Sequence, residues 1–266
     1  SIVSFDKLNN YISNKNNVPI IGDIMTSRWA YEAMMVSQFK KNAYNNIFYA
    51  NDQKVSNLSF TINYEIPKTQ QLIGDVIQII KEKHTDVDLQ FKTKLIEKEI
   101  VKLNKICLLN YSFTDLKVIE NLRELNNDLS KLKIQLAKQV TQYLHEKDNL
   151  NDSLNLLYGS DYVFELKSKN YNTRLGEFVL KSNELNRIEI TNDKYIRLFE
   201  PIYYEPESRI GRAHFFAPLK RLGFIRIDTF RFNIMIIWSL TLIMYFILCQ
   251  NWFKQLVNLF ERIKIN

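Results

Sequence analysis

Histidine and cysteine, two residue types often used in nucleophilic and metal chemistry, are few in this sequence. The three histidines, His84, His145 and His214, each lack a nearby nucleophile or metal ligand in the sequence, and a lone histidine is more often packed or exposed than catalytic. The two cysteines, Cys107 and Cys249, lie far apart in unlike surroundings. We therefore expect neither a disulfide framework nor a cysteine-based zinc site.

The sequence also lacks the short motifs that bind nucleotides or catalytic metals. It contains no GxxxxGK[ST] loop, no GxGxxG loop and no HExxH pair, and these patterns place backbone amides around phosphates or two histidines around zinc. We expect no catalytic residue, no metal and no cofactor in this stretch. The chain is predicted not to be an enzyme by itself.

Positive charge dominates the composition, with 36 lysines and arginines against 29 acidic residues and a formal net charge of +7. Such an excess permits contact with nucleic acid or anionic lipid. The basic positions lack the helix or sheet context of a nucleic-acid binder, so no nucleic-acid partner is predicted. Six glycines and five prolines are few for 266 residues, which favours a helical protein.

Two segments combine charged and aromatic residues. In the first, a helix predicted over residues 26–49 places Arg28 and Glu32 four residues apart. The order of this pair is the less favourable one for the helix dipole, so a local ion pair contributes little, and each residue could instead have a partner outside the helix. An apolar stripe follows another face of this helix, at Trp29, Ala33, Val36 and Phe39.

The second segment, residues 211–218, places Arg212 and His214 beside Phe215 and Phe216. It could anchor in a lipid headgroup region, with a cation–π contact from the arginine. The alternative is an elbow at the membrane interface that has no role in binding a substrate. This alternative is the favoured interpretation of the segment.

An uncharged apolar segment follows this elbow. Residues 232–253, FNIMIIWSLTLIMYFILCQNWF, are 22 residues without a formal charge. At about 1.5 Å per residue a helix of this length crosses a hydrocarbon core of about 30 Å. A buried core helix is the alternative, although such helices are usually shorter. Residues 254–266 then form either an amphipathic helix on the membrane surface or a continuation of the same helix.

The remaining pattern predicts a mainly α fold: a helical bundle or hairpin insert, a small β-hairpin, an irregular Pro/Gly elbow and one C-terminal transmembrane helix. A heptad seam runs from Val118 to Leu136, and intramolecular packing is favoured over an autonomous coiled coil because the seam is short. Two β-prone runs flank Asn192 and Asp193. The predicted organisation is a membrane-proximal helical segment (1–67), a helical insert (68–200), an elbow (201–231), a transmembrane span (232–253) and a C-terminal tail (254–266).

Residues 18–49 resemble the stretch after the fifth transmembrane helix in ABCG (White) class ATP-binding cassette exporters, where an Arg-aromatic-x-x-Glu-Ala-like helix precedes the sixth span. Residues 211–249 resemble the end of large Bacteroidetes-type members of that class. The matching positions are Ser27, Arg28, Trp29, Glu32, Ala33, Phe39, Asn42 and Tyr44 in the first segment, and Gly211, Arg212, His214, Phe215, Pro218, Asp228, Thr229, Phe232 and Asn233 in the second. None is implied to be catalytic.

The resemblance implies that this chain is the C-terminal part of an exporter's membrane subunit, in a bacterial inner membrane. ATP and Mg²⁺ are implied only for a separate ATPase domain, and the expected partners are that domain, the remaining spans, membrane lipid and a second half of the dimer. Residues 1–231 are then extracytoplasmic and the C-terminus cytoplasmic, although the basic residues before the span favour the reverse orientation. The alternative function is a single-span scaffold whose helical region binds a partner protein through the seam.

Overall fold

A computed structural model of the chain describes residues 18–82, 87–107, 116, 118–191 and 194–250. The fold is mainly helical with two small antiparallel sheets, which confirms the predicted fold class. The helices are α1 (Ile20–Ile24), α2 (Thr26–Lys41), α3 (Ala43–Phe60), α4 (Ile66–Lys81), α5 (Val87–Cys107), α6 (Ile119–Tyr158), α7 (Tyr162–Asn170), α8 (Thr173–Leu180) and α9 (Thr229–Cys249). The strands are β1 (Ile188–Thr191), β2 (Lys194–Arg197), β3 (Leu219–Leu222) and β4 (Ile225–Asp228).

The chain divides into two compact units. The first, called here the terminal unit, holds the described residues of 1–41 and 205–266, and the second, called the insert unit, holds residues 42–204. The insert unit therefore interrupts the terminal unit in the sequence.

The core of the insert unit is built around the leucine seam of α6. The five leucines of the seam are buried among apolar residues of α4 and α5, and they are Leu122, Leu125, Leu129, Leu132 and Leu136. The prediction of intramolecular packing for this seam is confirmed. The predicted hairpin is present as β1 and β2, and Tyr195 of β2 joins the same core. The turn residues Asn192 and Asp193 lie outside the described residues.

A π-helical turn, Thr61–Glu65, joins α3 to α4. Pro67, the second residue of α4, has no backbone N–H, so one α-helical donor is lost at the junction and a wider turn is tolerated. The turn places the Glu65 carboxylate inside the unit, where it accepts a hydrogen bond from Thr61 Oγ1 at 2.7 Å and pairs with Lys102.

Two local predictions were wrong. The helix predicted over 26–49 is broken at Asn42, whose side chain accepts a hydrogen bond from Asn45 N at 2.8 Å and so caps α3. The elbow predicted as irregular, 201–231, contains a 3₁₀ turn at Pro201–Tyr203 and the β3–β4 hairpin. Four-residue strands form there because the two-residue turn supplies Gly223 with a positive φ of 59°.

The apolar helix α9 begins three residues before the predicted span, because Asp228 accepts a hydrogen bond from Phe230 N at 3.0 Å and caps it. Among the described helices, α9 is the one that is long and apolar enough to cross a membrane, by its length and composition. Residues 251–253 of the predicted span, the tail 254–266 and the first 17 residues of the membrane-proximal segment lie outside the described residues.

Candidate functional site

A group of charged and polar side chains lies at the start of α9, within the terminal unit; Arg28, Glu32, Lys220 and Asn233 are buried, and Asp23 and Arg212 are half-buried. We call it the Glu32 cluster, and its members come from α1, α2, β3, α9 and the segment before β3: Asp23, Arg28, Glu32, Arg212, Lys220 and Asn233. Ionised side chains are rarely buried unless they are paired. The buried charges of this cluster therefore have to be compensated by one another.

The Glu32 carboxylate is the centre of the cluster and is fully buried, with an exposed fraction of 0%. Its Oε1 accepts a hydrogen bond from Lys220 Nζ at 2.7 Å, and its Oε2 accepts one from Asn233 Nδ2 at 3.0 Å. Arg28 NH2 lies 3.6 Å from the same Oε2. Three elements, α2, β3 and α9, thus meet at one carboxylate.

Local sequence explains how these side chains reach the interior. The stripe of Trp29, Ala33, Val36 and Phe39 buries one side of α2, and Arg28 and Glu32 are buried with it. Lys220 is the second residue of β3, and the alternation of a strand turns it inward while Arg221 is only half-buried. Asn233 lies one turn into α9, where its Nδ2 also donates to Trp29 O at 3.0 Å.

Asp23 extends the cluster outward from Arg28. Asp23 Oδ1 lies 3.4 Å from Arg28 NH1, and Asp23 Oδ2 accepts a hydrogen bond from Arg212 Nε at 3.2 Å. Arg212 also donates to Val18 O at 2.7 Å. Two carboxylates therefore face three cations, so the cluster carries an excess of one positive charge.

Aromatic rings offset part of the cost of burying the Arg28 guanidinium. Its central carbon lies 3.8 Å from the centre of the Trp29 ring and 5.9 Å from that of Phe215, which are cation–π distances. Within the described residues, Arg28 Nε and NH1 donate no hydrogen bond, and Asn233 Oδ1 accepts none. The charge of Arg28 is thus stabilised mainly by the ring faces and by its two carboxylates.

Burial also governs the protonation of the two most deeply placed cations. Desolvation lowers the pKa of the Lys220 ammonium, although the adjacent Glu32 carboxylate opposes the shift. Desolvation likewise lowers the pKa of Arg28, opposed by Glu32 and Asp23. Removing Glu32 would therefore leave two cations in a dry environment without their main counter-charge.

A second set of contacts fixes the first turn of α9. Asp228 pairs with Lys40 at 3.3 Å and Lys41 at 3.9 Å, and Thr229 Oγ1 donates to Ala217 O at 2.6 Å. The Phe232 ring packs 6.1 Å from that of Trp29. Helix α9 is thus attached to α2 by ion pairs, hydrogen bonds and ring packing.

The structure brings together most residues of the two sequence segments singled out above. Those near Glu32 or the start of α9 are Arg28, Trp29, Arg212, Phe215, Asp228, Thr229, Phe232 and Asn233. Ala33, Phe39, Gly211, His214 and Pro218 are buried in the same unit. Ser27 is exposed.

Asn42 and Tyr44 belong to the insert unit instead. Asn42 caps α3, and the Tyr44 ring packs 5.0 Å from that of Phe48. Both have local structural roles, and the structure does not bring them to the Glu32 cluster.

Two members of the cluster, Lys220 and Asp23, were missed by the sequence reasoning. Lys220 is one of the basic residues before the span, which the charge count treats alike, yet it is fully buried. Residues 219–222, LKRL, do not alternate apolar with polar side chains, so the sequence does not mark Lys220 as the inward-facing residue of the strand.

Across the part of the chain that the structure describes, no group of three or more His, Cys, Asp or Glu side chains could hold a metal ion.

The insert unit has a cleft of about 430 Å³ lined by Ser56, Asn63, Tyr64 and Glu200 among others. At this cleft Ser56 and Glu200 are engaged by Arg197 NH2 at 2.5 and 2.7 Å. In both sites, this cleft and the Glu32 cluster, the charged side chains are paired with partners inside their own unit.

Comparison of the chain with protein-family models, curated proteins and solved structures gives no match.

Proposed function

We propose that this chain is the C-terminal part of the membrane subunit of an ATP-driven ABC exporter, with α9 as the last membrane span. The observation that carries the membrane span in this proposal is the burial pattern of α9. Thr229, Phe232 and Asn233 are buried. Beyond them the helix exposes large apolar side chains, namely Met235, Trp238, Leu242, Ile243, Met244, Tyr245, Phe246 and Leu248.

The exposed side chains surround the helix rather than marking one face. Residues 242–246 are five consecutive exposed apolar residues, and five residues exceed one helical turn. A core helix would be covered by its own domain, whereas lipid or neighbouring spans cover a helix that is apolar all round. This pattern supports the membrane span over the buried core helix.

The polar side chains of α9 suit the same environment. Ser239 Oγ donates to Met235 O at 2.8 Å, and Thr241 Oγ1 donates to Ile237 O at 2.9 Å. Each hydroxyl is therefore satisfied by its own helix and needs no water.

The exporter assignment rests on the two segments that resemble the ABCG class. They are far apart in the sequence, yet they pack together around Glu32, which supports assigning them to one structural module. In this proposal the Glu32 cluster makes α2, β3 and the first turn of α9 one rigid body. A movement of the last span would then move α2 and β3 with it.

The remaining parts of the proposal follow from the resemblance. Residues 42–204 form an extracytoplasmic helical domain, and the ATPase domain with its ATP and Mg²⁺, five further spans and a second half complete the exporter. The scaffold alternative used the leucine seam as an intermolecular interface. Since that seam is buried inside the insert unit, no observation favours the scaffold.

The orientation is tested by thiol labelling in intact bacterial cells. In a chain with Cys107→Ser and Cys249→Ala, a cysteine at the exposed Ser160 should react with a maleimide that cannot cross the inner membrane. A cysteine at Asn266 is the matched control and should react only after lysis. The reverse pattern would place the insert unit in the cytoplasm and contradict the proposed orientation.

The exporter assignment has a separate test in the DNA upstream of Ser1. We expect an open reading frame that continues without a stop into five apolar spans and a GxxxxGK[ST] motif, or an adjacent gene that encodes the ATPase. An initiator Met codon directly before Ser1, with no ATPase gene beside it, would argue against the exporter.

A further inference from the structure

The turn of the β3–β4 hairpin exposes apolar side chains that the terminal unit does not cover. Phe224, at the tip, is 90% exposed, and Leu222 and Ile225 on either side are exposed too. Ile210, which forms an isolated bridge with Leu222, adds a fourth exposed apolar residue. A cluster of this kind on a hairpin tip is typical of a surface that contacts lipid or protein.

Arginines surround this apolar tip. Arg221 and Arg226 face each other directly across the two strands, and like charges in that arrangement are destabilising unless an anion lies between them. Arg226 itself is exposed and pairs with the half-buried Glu205 at 3.2 Å, a contact that contributes little to stability. Within the described residues, the buried Nε of Arg221 makes no hydrogen bond.

The hairpin also lies beside the first turns of α9. Strand β4 ends at Asp228 and α9 begins at the next residue. At Gly211, an added Cβ would lie 2.7 Å from Phe232 Cζ and 3.5 Å from Leu222 Cδ2. The tip side of the hairpin is therefore packed next to the first turn of the apolar helix, which in the proposed span lies in the headgroup layer.

We propose that the β3–β4 hairpin is a lipid-binding finger: its apolar tip enters the interfacial layer of the bilayer, and Arg221 and Arg226 bind the phosphate of an anionic lipid. Charge and position both point to this occupant, because an anionic membrane surface attracts arginines and an apolar tip inserts between headgroups. The inference rests on the proposed membrane span. It adds a second, peripheral attachment that would fix how α9 sits in the bilayer.

The test uses the full chain in vesicles, with Cys107→Ser and Cys249→Ala as background. A bimane fluorophore is attached to a cysteine at Phe224, at Ile243 in the span, or at Leu185 in the insert unit. The quenchers are lipids with a nitroxide near the headgroup, carried on either phosphatidylcholine or phosphatidylglycerol. Ile243 is probed with a nitroxide deep in the acyl chain.

We expect bimane at position 224 to be quenched and bimane at 185 not to be quenched. Phosphatidylglycerol should quench more strongly, with an enrichment of about fivefold for each arginine near the surface. Arg221→Gln together with Arg226→Gln should remove most of this preference, while Arg209, whose guanidinium carbon lies 5.5 Å from the centre of the Phe224 ring, retains a part of it. The matched control, Arg123→Gln with Arg174→Gln, changes two exposed arginines of the insert unit and should leave the preference intact.

Each other outcome has a defined meaning. Quenching at 243 without quenching at 224 overturns the finger and leaves the span intact. Equal quenching at 224 by both lipids before any arginine is changed overturns phosphate binding by the arginine pair. Absence of deep quenching at 243 refutes the proposed span, and the finger that rests on it is refuted too.

Discussion

At the scale of single residues, loss of the Lys220–Glu32 ion pair should lower the stability of the fold most. Both side chains are fully buried and their charged atoms are 2.7 Å apart. Removing one partner of a buried ion pair leaves the other uncompensated, so Lys220→Met should lower the free energy of unfolding by about 3–5 kcal/mol. Urea unfolding of the detergent-solubilised chain, followed by near-ultraviolet circular dichroism, measures this.

The same experiment has an internal check. Glu32→Gln combined with Lys220→Met should cost less than the sum of the two single changes, because both remove the same interaction. Lys131→Met is the matched control, since Lys131 is an exposed lysine paired with Asp128 and should change stability by less than about 0.5 kcal/mol. Simple additivity of the two buried changes would contradict the pairing.

Gly211 is a second position where a substitution should lower stability, because the structure leaves no room for an added Cβ atom. Its φ is +78°, and a Cβ there would lie 2.7 Å from the Phe232 ring. Gly211→Ala should therefore lower the melting temperature, through both backbone strain and displacement of the first turns of α9. Gly74→Ala, in open space within α4, should instead raise stability by about 0.5–1 kcal/mol. Equal effects of the two substitutions would refute the close contact at Gly211.

The sequence pattern singles out Arg28 and Glu32 as residues of interest, but it does not identify Lys220, the main partner of Glu32. Helical spacing marks two charges on one face, whereas the lysine that neutralises Glu32 lies 188 positions later in the sequence. Nothing local specifies such a pairing, because it depends on which face of the β3–β4 hairpin packs against α2. The carboxylate was therefore predictable as a feature of interest and the cluster was not.

At the scale of elements, α6 offers a comparison within one helix. Leu129, in the seam, is 2% exposed, and Leu156, near the C-terminal end, is 88% exposed. Leu129→Ala should cost about 2–5 kcal/mol from lost burial and the cavity left behind. Leu156→Ala, the same change at an exposed site, should stay within about 0.5 kcal/mol. Denaturant unfolding of both variants separates them, and similar losses would mean that the seam is not the core.

Elements with a regular apolar period were the predictable part of the fold. The seam of α6 is identified by its heptad period, and α9 is identified by an uncharged apolar run long enough to cross a bilayer. The break at Asn42 and the β3–β4 hairpin depend instead on one capping side chain and one glycine with positive φ. Such single-residue signals are easily outweighed by neighbouring helical or irregular patterns.

At the scale of the whole molecule, the decisive property is whether α9 is solvated by lipid. Met244, near the C-terminal half of the helix, is 58% exposed and Met34, on α2, is 66% exposed. A lysine in a span costs up to about 2.5–3.5 kcal/mol of insertion free energy at the helix centre. Met244→Lys should therefore move a substantial fraction of the chain from the carbonate-resistant membrane pellet to the supernatant.

Met34→Lys supplies the matched control, because it places the same charge on an exposed helix outside the proposed span. It should leave the pellet fraction unchanged, and water should solvate the new ammonium group. If Met244→Lys behaved like Met34→Lys, the exposed face of α9 would be in water or against protein rather than in lipid. Loss of membrane retention only at position 244 would support α9 as the span that attaches the Glu32 cluster to the bilayer.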